Sequence, residues 1–135
     1  MKTTGTLIVL LRLAILFAHG AAHTHLHIDT NAWQTAFIAS VIFAGPILAS
    51  ILLWTRMQRL GLVLLGLTMA GSFVFGLYFH FIAAGPDNAA GLSNAGWGGM
   101  FRATSVLLAI TEAFACFWCA WALKRRESQS ELQKA

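Results

Sequence analysis

Four long apolar blocks dominate this sequence and restrict it to folds that can exist in a lipid bilayer. They cover Thr6–Ala22, Ala32–Trp54, Leu60–Ala84 and Met100–Leu123. Each has roughly the 17–25 residues that a helix needs to cross a hydrocarbon core about 30 Å thick. Only 10% of the 135 residues are charged, whereas soluble domains average about 25%. The sequence therefore predicts an integral membrane protein.

The four blocks should be helical. Lipid offers no water to backbone N–H and C=O groups, so a spanning segment must be a helix or a strand of a closed barrel. The blocks lack the alternation of apolar and polar residues that barrel strands show. We therefore predict an all-α fold, with residues 1–135 forming a single antiparallel bundle of four transmembrane helices. The polar residues 124–135 should form a cytoplasmic tail after the fourth helix.

Basic residues at the ends of the blocks predict the orientation. They precede the first block, separate the second from the third and follow the fourth, as Lys2, Arg56, Arg59, Lys124, Arg125 and Arg126. The other two connections contain Asp29 and Asp87, and no lysine or arginine before Arg102. By the positive-inside rule, both termini are cytoplasmic (N-in/C-in) and these two connections face outward. The small size and short loops indicate a bacterial cytoplasmic (inner) membrane.

The first block has a second interpretation, as a cleaved secretory signal. Lys2, an apolar core and the small residues Gly20, Ala21 and Ala22 follow one another in the order that such signals show. Arg12 interrupts the apolar core, which favours a retained helix. Both interpretations stay open at this point.

The histidines cluster at block ends. Four of the five, His19, His23, His25 and His27, lie where the first block ends, and His80 lies near the end of the third. On one continuous helix, His19, His23 and His27 would form a stripe because they are four residues apart, with His25 on the other side. If the chain instead becomes extended after Ala22, then His23, His25 and His27 all project to one side. The first and third helices both run outward, so His80 should reach the same face, together with Asp29, Asp87 and Arg102. We predict a metal site made by the five histidines.

The ligand type limits the cofactor to a few candidates. Imidazole binds zinc, copper, nickel and haem iron. We therefore expect a transition-metal ion (Cu, Zn or Ni) or one b-type haem, which would need His80 and either His19 or His23 as axial ligands from different helices. Histidines four residues apart on a helix occur in zinc sites, but the glutamate of H-E-x-x-H is missing here. The sequence thus favours a binding or accessory protein over an enzyme, and we assign no catalytic residue.

Two charged residues, Arg12 and Glu112, fall inside the apolar blocks. Charges in a bilayer are expensive, so we expect them to form an intramembrane ion pair. The pair would order the bundle or, as a competing hypothesis, belong to a small transporter or proton pathway. Glu112 shares a helix face with Cys116 and Cys119. C-x-x-C spacing occurs in redox pairs and metal sites, but we interpret these thiols as small buried apolar groups near the cytoplasmic end.

Partners are the least constrained feature of the sequence. The lipid bilayer is one, and a homo-oligomer or a larger membrane complex is another. In the competing interpretation the chain is a non-catalytic structural subunit whose histidines merely mark the interface. Nucleic acid is not expected, because the basic residues lie at block ends and not on one face with aromatic residues. The connection Gly85–Gly99 predicts no regular structure, and Pro46 should leave a carbonyl near Ile42 without its helical partner.

Overall fold

The computed structural model describes residues 1–132, with side chains described up to residue 129. Over that range the fold is entirely helical, without strands. Four helices within the described residues are long and apolar enough to cross a membrane. They are α1 (Lys2–His25), α2 (Ala32–Leu53), α3 (Gln58–Ile82) and α4 (Gly96–Leu132). The predicted all-α fold with four apolar spans is confirmed.

The fourth helix is longer than its apolar block. It begins at Gly96, before Met100, and continues to Leu132. The chain has neither glycine nor proline between Met100 and Leu132, and lysine, arginine, glutamate and leucine all favour helix. The polar tail expected over residues 124–135 is therefore helical as far as the structure describes it. Residues 133–135 of that tail lie outside the described residues.

Contacts at one end of the bundle show that neighbouring helices alternate in direction. Thr6, near the start of α1, accepts a 2.9 Å hydrogen bond from the indole of Trp54, just after α2. At the start of α3, Arg59 lies 3.3 Å from the carboxylate of Glu127, late in α4. The α2–α3 turn is close-packed, since a Cβ at Gly61 would lie 2.9 Å from the backbone nitrogen of Leu53.

The half of the bundle that contains the start of α1 is filled by apolar side chains. This apolar core includes Val9, Leu53, Leu65, Met69, Ala115 and Ala122, all buried. Other large apolar side chains, such as Leu7, Leu67 and Phe117, point outward and are 60–73% exposed. Outward apolar groups are suited to lipid. Apolar side chains thus fill one half of the bundle, and buried polar side chains such as His19 and His80 lie in the other half.

Two of the helices contain π-helical segments, which the sequence did not predict. In α2 the segment is Ile38–Ala44 and in α3 it is Tyr78–Ile82. The first precedes Pro46, which has no N–H to give to the carbonyl of Ile42. That carbonyl instead accepts a hydrogen bond from Nη1 of Arg12. Segments of this kind recur at functional sites, and both line the same cavity.

Candidate metal centre

Three histidines meet at the end of the bundle away from the apolar core. His19 and His23 come from α1, and His80 comes from the π-helical segment of α3. One ring nitrogen from each lies within 4.8 Å of the other two. Phe101 of α4 contacts all three rings, at centroid distances of 4.7–5.1 Å. The histidine cluster is therefore enclosed by three helices.

The hydrogen bonds of Thr104 favour one tautomer of His19. The hydroxyl of Thr104 lies 2.8 Å from the carbonyl of Met100, to which it donates. Its oxygen also lies 2.9 Å from Nδ1 of His19. With the hydroxyl hydrogen given to this carbonyl, Nδ1 is the donor in the contact, which is one of the two tautomers that the contact allows. The other ring nitrogen of His19, Nε2, is then an unprotonated lone pair.

The other two rings are fixed in the same way by backbone carbonyls. Nδ1 of His80 lies 3.2 Å from the carbonyl oxygen of Asp87. Nδ1 of His23 lies 3.4 Å from the carbonyl oxygen of Ile28. A carbonyl can only accept, so each Nδ1 carries the hydrogen. All three rings of the cluster therefore have Nε2 as their free lone pair.

These lone pairs lie close to one another and to a carboxylate. Nε2 of His19 is 3.2 Å from Nε2 of His80. Nε2 of His23 is 3.3 Å from Oδ1 of Asp87, which also lies 3.9 Å from Nδ1 of His80. Oδ1 is buried and, among the described residues, no hydrogen bond reaches it. Nitrogens of the three imidazoles thus form one group, and Asp87 lies at its edge, beside His23 and His80.

The connection between α3 and α4 holds Asp87 over the histidines. Asn88 donates a 2.8 Å hydrogen bond to the carbonyl of Ala83 and accepts one of 2.9 Å from the backbone N–H of Ala90. Ala89 starts a short 3₁₀ helix, Ala89–Gly91, and packs into a small apolar cluster with Phe101. The connection is therefore more ordered than its composition predicted. Sequence reasoning placed Asp87 at this face but did not count it as a ligand.

His25 and His27 do not join the cluster. α1 ends at His25, and His27 has a left-handed backbone with φ of 53°. The N–H groups of His27 and Ile28 bond back to the carbonyls of Thr24 and His23, the pattern of a Schellman motif. This turn ends the helix, so the stripe expected through His27 stops at His23. The ring of His25 stacks on Trp97 instead, with centroids 3.9 Å apart.

Arg12 and Glu112 form a buried ion pair at the middle of the bundle. Nε and Nη2 of Arg12 lie 3.0 and 2.8 Å from Oε1 of Glu112, and both side chains are at most 4% exposed. Nη2 also donates to Oγ of Ser72 at 2.7 Å, and Ser72 donates to the same Oε1. With the bond to Ile42, this network joins all four helices. It leaves no net charge at that depth.

The two thiols lie farther along α4, in the apolar half. Cys119 is buried in the apolar core, and Cys116 is half-buried beside it. Sγ of Cys116 lies 3.7 Å from the carbonyl of Gly66. Both cysteines are free. They pack against the apolar core, as small apolar side chains would.

A cavity of about 260 Å³ runs from the histidine cluster to the buried ion pair. His19, His80 and Asp87 line one end, and Ser72 and Glu112 line the other. The walls between them are largely apolar. The cavity therefore places the histidine cluster and the buried ion pair around one partly open space.

Four apolar helices and a histidine cluster are together compatible with a membrane protein that binds a metal ion. Comparison with protein-family models, with curated proteins and with solved structures gave no match. The function has to be argued from the geometry of the cluster.

Proposed function

We propose that this chain is a small multi-pass membrane protein that binds a transition-metal ion through Nε2 of His19, His23 and His80. The carboxylate of Asp87 is the fourth ligand. One observation carries the proposal: every Nδ1 of the cluster faces an oxygen acceptor, so every Nε2 presents a lone pair. Histidines that bind metals almost always donate their other ring N–H in this way, because the outer bond fixes the tautomer and the ring orientation.

The distances support a tetrahedral ion. Zinc–nitrogen bonds of about 2.0–2.1 Å place neighbouring tetrahedral ligand atoms about 3.3 Å apart. The His19–His80 separation of 3.2 Å and the His23–Asp87 separation of 3.3 Å match that value. The longest separation between ring nitrogens, up to 4.8 Å, requires the rings to close on the ion. An ion there would neutralise Asp87 and replace lone-pair repulsion by attraction.

Zinc is the ion that these ligands favour. Three imidazoles and a carboxylate in a tetrahedral arrangement suit zinc, whereas copper(II) and nickel prefer tetragonal sites. A b-type haem fits less well, because two ligands on opposite sides of one metal would be about 4 Å apart. The cavity of about 260 Å³ is also smaller than the roughly 300–1,000 Å³ of drug-sized ligand pockets. We therefore propose a bound ion and not a haem.

The metal centre lies on the outer side of the membrane in this proposal. Lys2, Arg59 and Lys124 lie at the opposite end of the bundle from Asp87, and Nζ of Lys2 is 4.7 Å from the ring of Trp54. An excess of basic residues is typical of the cytoplasmic side, and aromatic residues such as Trp54 mark a membrane interface on either side. We propose N-in/C-in orientation in a bacterial cytoplasmic membrane, and oligomer or complex formation remains a prediction. A reporter enzyme that works only in the cytoplasm should be active when it is fused after residue 135, and a reporter that works only outside the cytoplasm should be inactive there.

A transport role is the second candidate function, and one observation favours it: the cavity reaches Glu112. The apolar core fills the bundle beyond the ion pair, which supports a site closed at one end over a continuous path. Transport would therefore require the core to open.

Metal content tests the proposed function with matched variants. Protein purified in mild detergent should contain one zinc ion per chain by elemental analysis, and His23→Gln should lose it. His25→Gln and His27→Gln remove an imidazole from the same segment outside the cluster, so both should keep the ion. Equal metal content in all four proteins, or none in the wild type, would contradict the proposal and favour a structural subunit.

A further inference from the structure

We propose that the cavity is a second binding site, for a small neutral molecule that donates a hydrogen bond to Oε2 of Glu112. The cavity holds about 260 Å³ and ends on the buried ion pair. No histidine belongs to that pair. The floor of the cavity is distinct from the metal centre, although His19, His23 and His80 line the other end of the same cavity, and a site there goes beyond the proposed function.

The floor of the cavity offers an acceptor that the protein does not use. The hydrogen bonds from Arg12 and Ser72 to the carboxylate of Glu112 all end on Oε1. Oε2 receives none of them, and Glu112 lines the cavity. An ionised carboxylate oxygen can only accept. A molecule that fits this floor must therefore carry an O–H or N–H group.

The charge balance of the floor selects a neutral molecule. Arg12 already neutralises Glu112 at 2.8 Å, so a cation would enter without an unpaired anion to compensate it. An anion would face the carboxylate oxygen directly. Moving an uncompensated ion from water into such surroundings is very costly. A neutral donor avoids both penalties.

The walls and the size of the cavity define the rest of the molecule. Phe43, Phe73 and Leu108 line the walls, so the body of the molecule should be apolar or aromatic. An apolar cavity of about 150 Å³ holds one benzene, so the larger volume has room for about ten non-hydrogen atoms. A phenol is the simplest molecule with this size, shape and donor.

Fluorine NMR of 4-fluorophenol and fluorobenzene tests this site in protein reconstituted in nanodiscs and stripped of metal with a chelator. The two probes share the ring and differ in the hydroxyl donor. A hydrogen bond to a charged acceptor should make 4-fluorophenol bind at least about tenfold more tightly. Equal affinity of the two probes would overturn the proposal, because nothing would then be donating to Glu112.

A cavity-filling variant locates the binding. Gly20 lines the cavity from an exposed position, and a Cβ there meets no atom within 4 Å, so Gly20→Leu adds a side chain at the edge of the cavity. Gly91 is exposed and equally open, which makes Gly91→Leu the matched control. Saturable binding should disappear in Gly20→Leu and persist in Gly91→Leu. Unchanged binding in Gly20→Leu would overturn the proposal. Because the protein is metal-free, neither result depends on the metal centre.

Discussion

Nε2 of His19 and Nε2 of His80 face each other at 3.2 Å, although the two residues are 61 positions apart in the chain. Nδ1 of His19 contacts the hydroxyl oxygen of Thr104, and Nδ1 of His80 contacts the carbonyl oxygen of Asp87. Two rings of the same tautomer cannot hydrogen-bond to each other through these atoms. Their separation is that of adjacent ligands on one ion, and in the proposed metal centre the outer contacts would orient both rings before an ion binds.

Removing the acceptor behind His19 should weaken metal binding without removing a ligand. In Thr104→Val the Nδ1–H of His19 loses its partner, so the ring is free to rotate. Outer-shell changes of this kind typically lower metal affinity about 10- to 100-fold. Competition with a coloured zinc chelator measures the affinity. Thr104→Ser keeps the hydroxyl and should bind as the wild type does; equal affinity in Thr104→Val would show that the contact does not orient His19.

Asp87 should matter to the ion and not to the metal-free fold. Oδ1 is buried without a hydrogen bond, so Asp87→Asn removes a charge that destabilises the metal-free protein. Its free energy of unfolding after chelation should therefore not fall, while zinc affinity drops. The exposed Asp29 provides the control, since Asp29→Asn should change neither quantity by more than about 0.5 kcal/mol. Unaltered zinc affinity in Asp87→Asn would exclude Asp87 as a ligand.

The buried ion pair should contribute far more to stability than the surface pair. Breaking a buried pair leaves an uncompensated charge, so Glu112→Gln should cost about 3–5 kcal/mol. The Arg59–Glu127 pair is 75% and 63% exposed, and Arg59→Gln should cost less than about 1 kcal/mol. Unfolding by SDS in mixed micelles measures both. Similar costs for the two variants would mean that the pair at Arg12 does not hold the four helices together.

The left-handed turn at His27 predicts a substitution that stabilises the chain. A residue with a side chain at this position costs about 1–2 kcal/mol in αL geometry, and glycine is the usual residue there. His27→Gly should therefore raise the free energy of unfolding by about 1 kcal/mol and keep the metal. The same micelle unfolding and metal analysis apply. Loss of the ion in this variant would place His27 in the site after all.

Much of the fold follows from the sequence, because bilayer thickness converts the length of an apolar block directly into a helix. The pairing of Arg12 with Glu112 could be anticipated for a related reason, since neither charge can face lipid. The freed carbonyl at Ile42 follows from Pro46 alone. That Arg12 is the residue that donates to this carbonyl depends on how α1 packs on α2, and no local sequence pattern predicts that packing.

The site could be anticipated only in part. Four-residue spacing brings His19 and His23 to one side of α1, and alternating helix direction brings His80 to the same end. His27 was misplaced because the left-handed turn there uses histidine where glycine would have marked the helix end. Asp87 was not predicted as a ligand because it lies in a glycine- and asparagine-rich connection. Such a segment has no regular periodicity that would indicate which way a side chain points. The π-helical segment around His80 has no sequence signature.

X-ray absorption at the zinc edge tests the central claim most directly, because it reports the ligands themselves. Zinc-loaded protein should show a first shell of nitrogen and oxygen at about 2.0–2.1 Å, with outer scattering from three imidazoles. One imidazole should be lost in His80→Gln and none in His25→Gln. A shell of water oxygens alone, or the same imidazole count in His80→Gln as in the wild type, would contradict a metal centre at His19, His23 and His80.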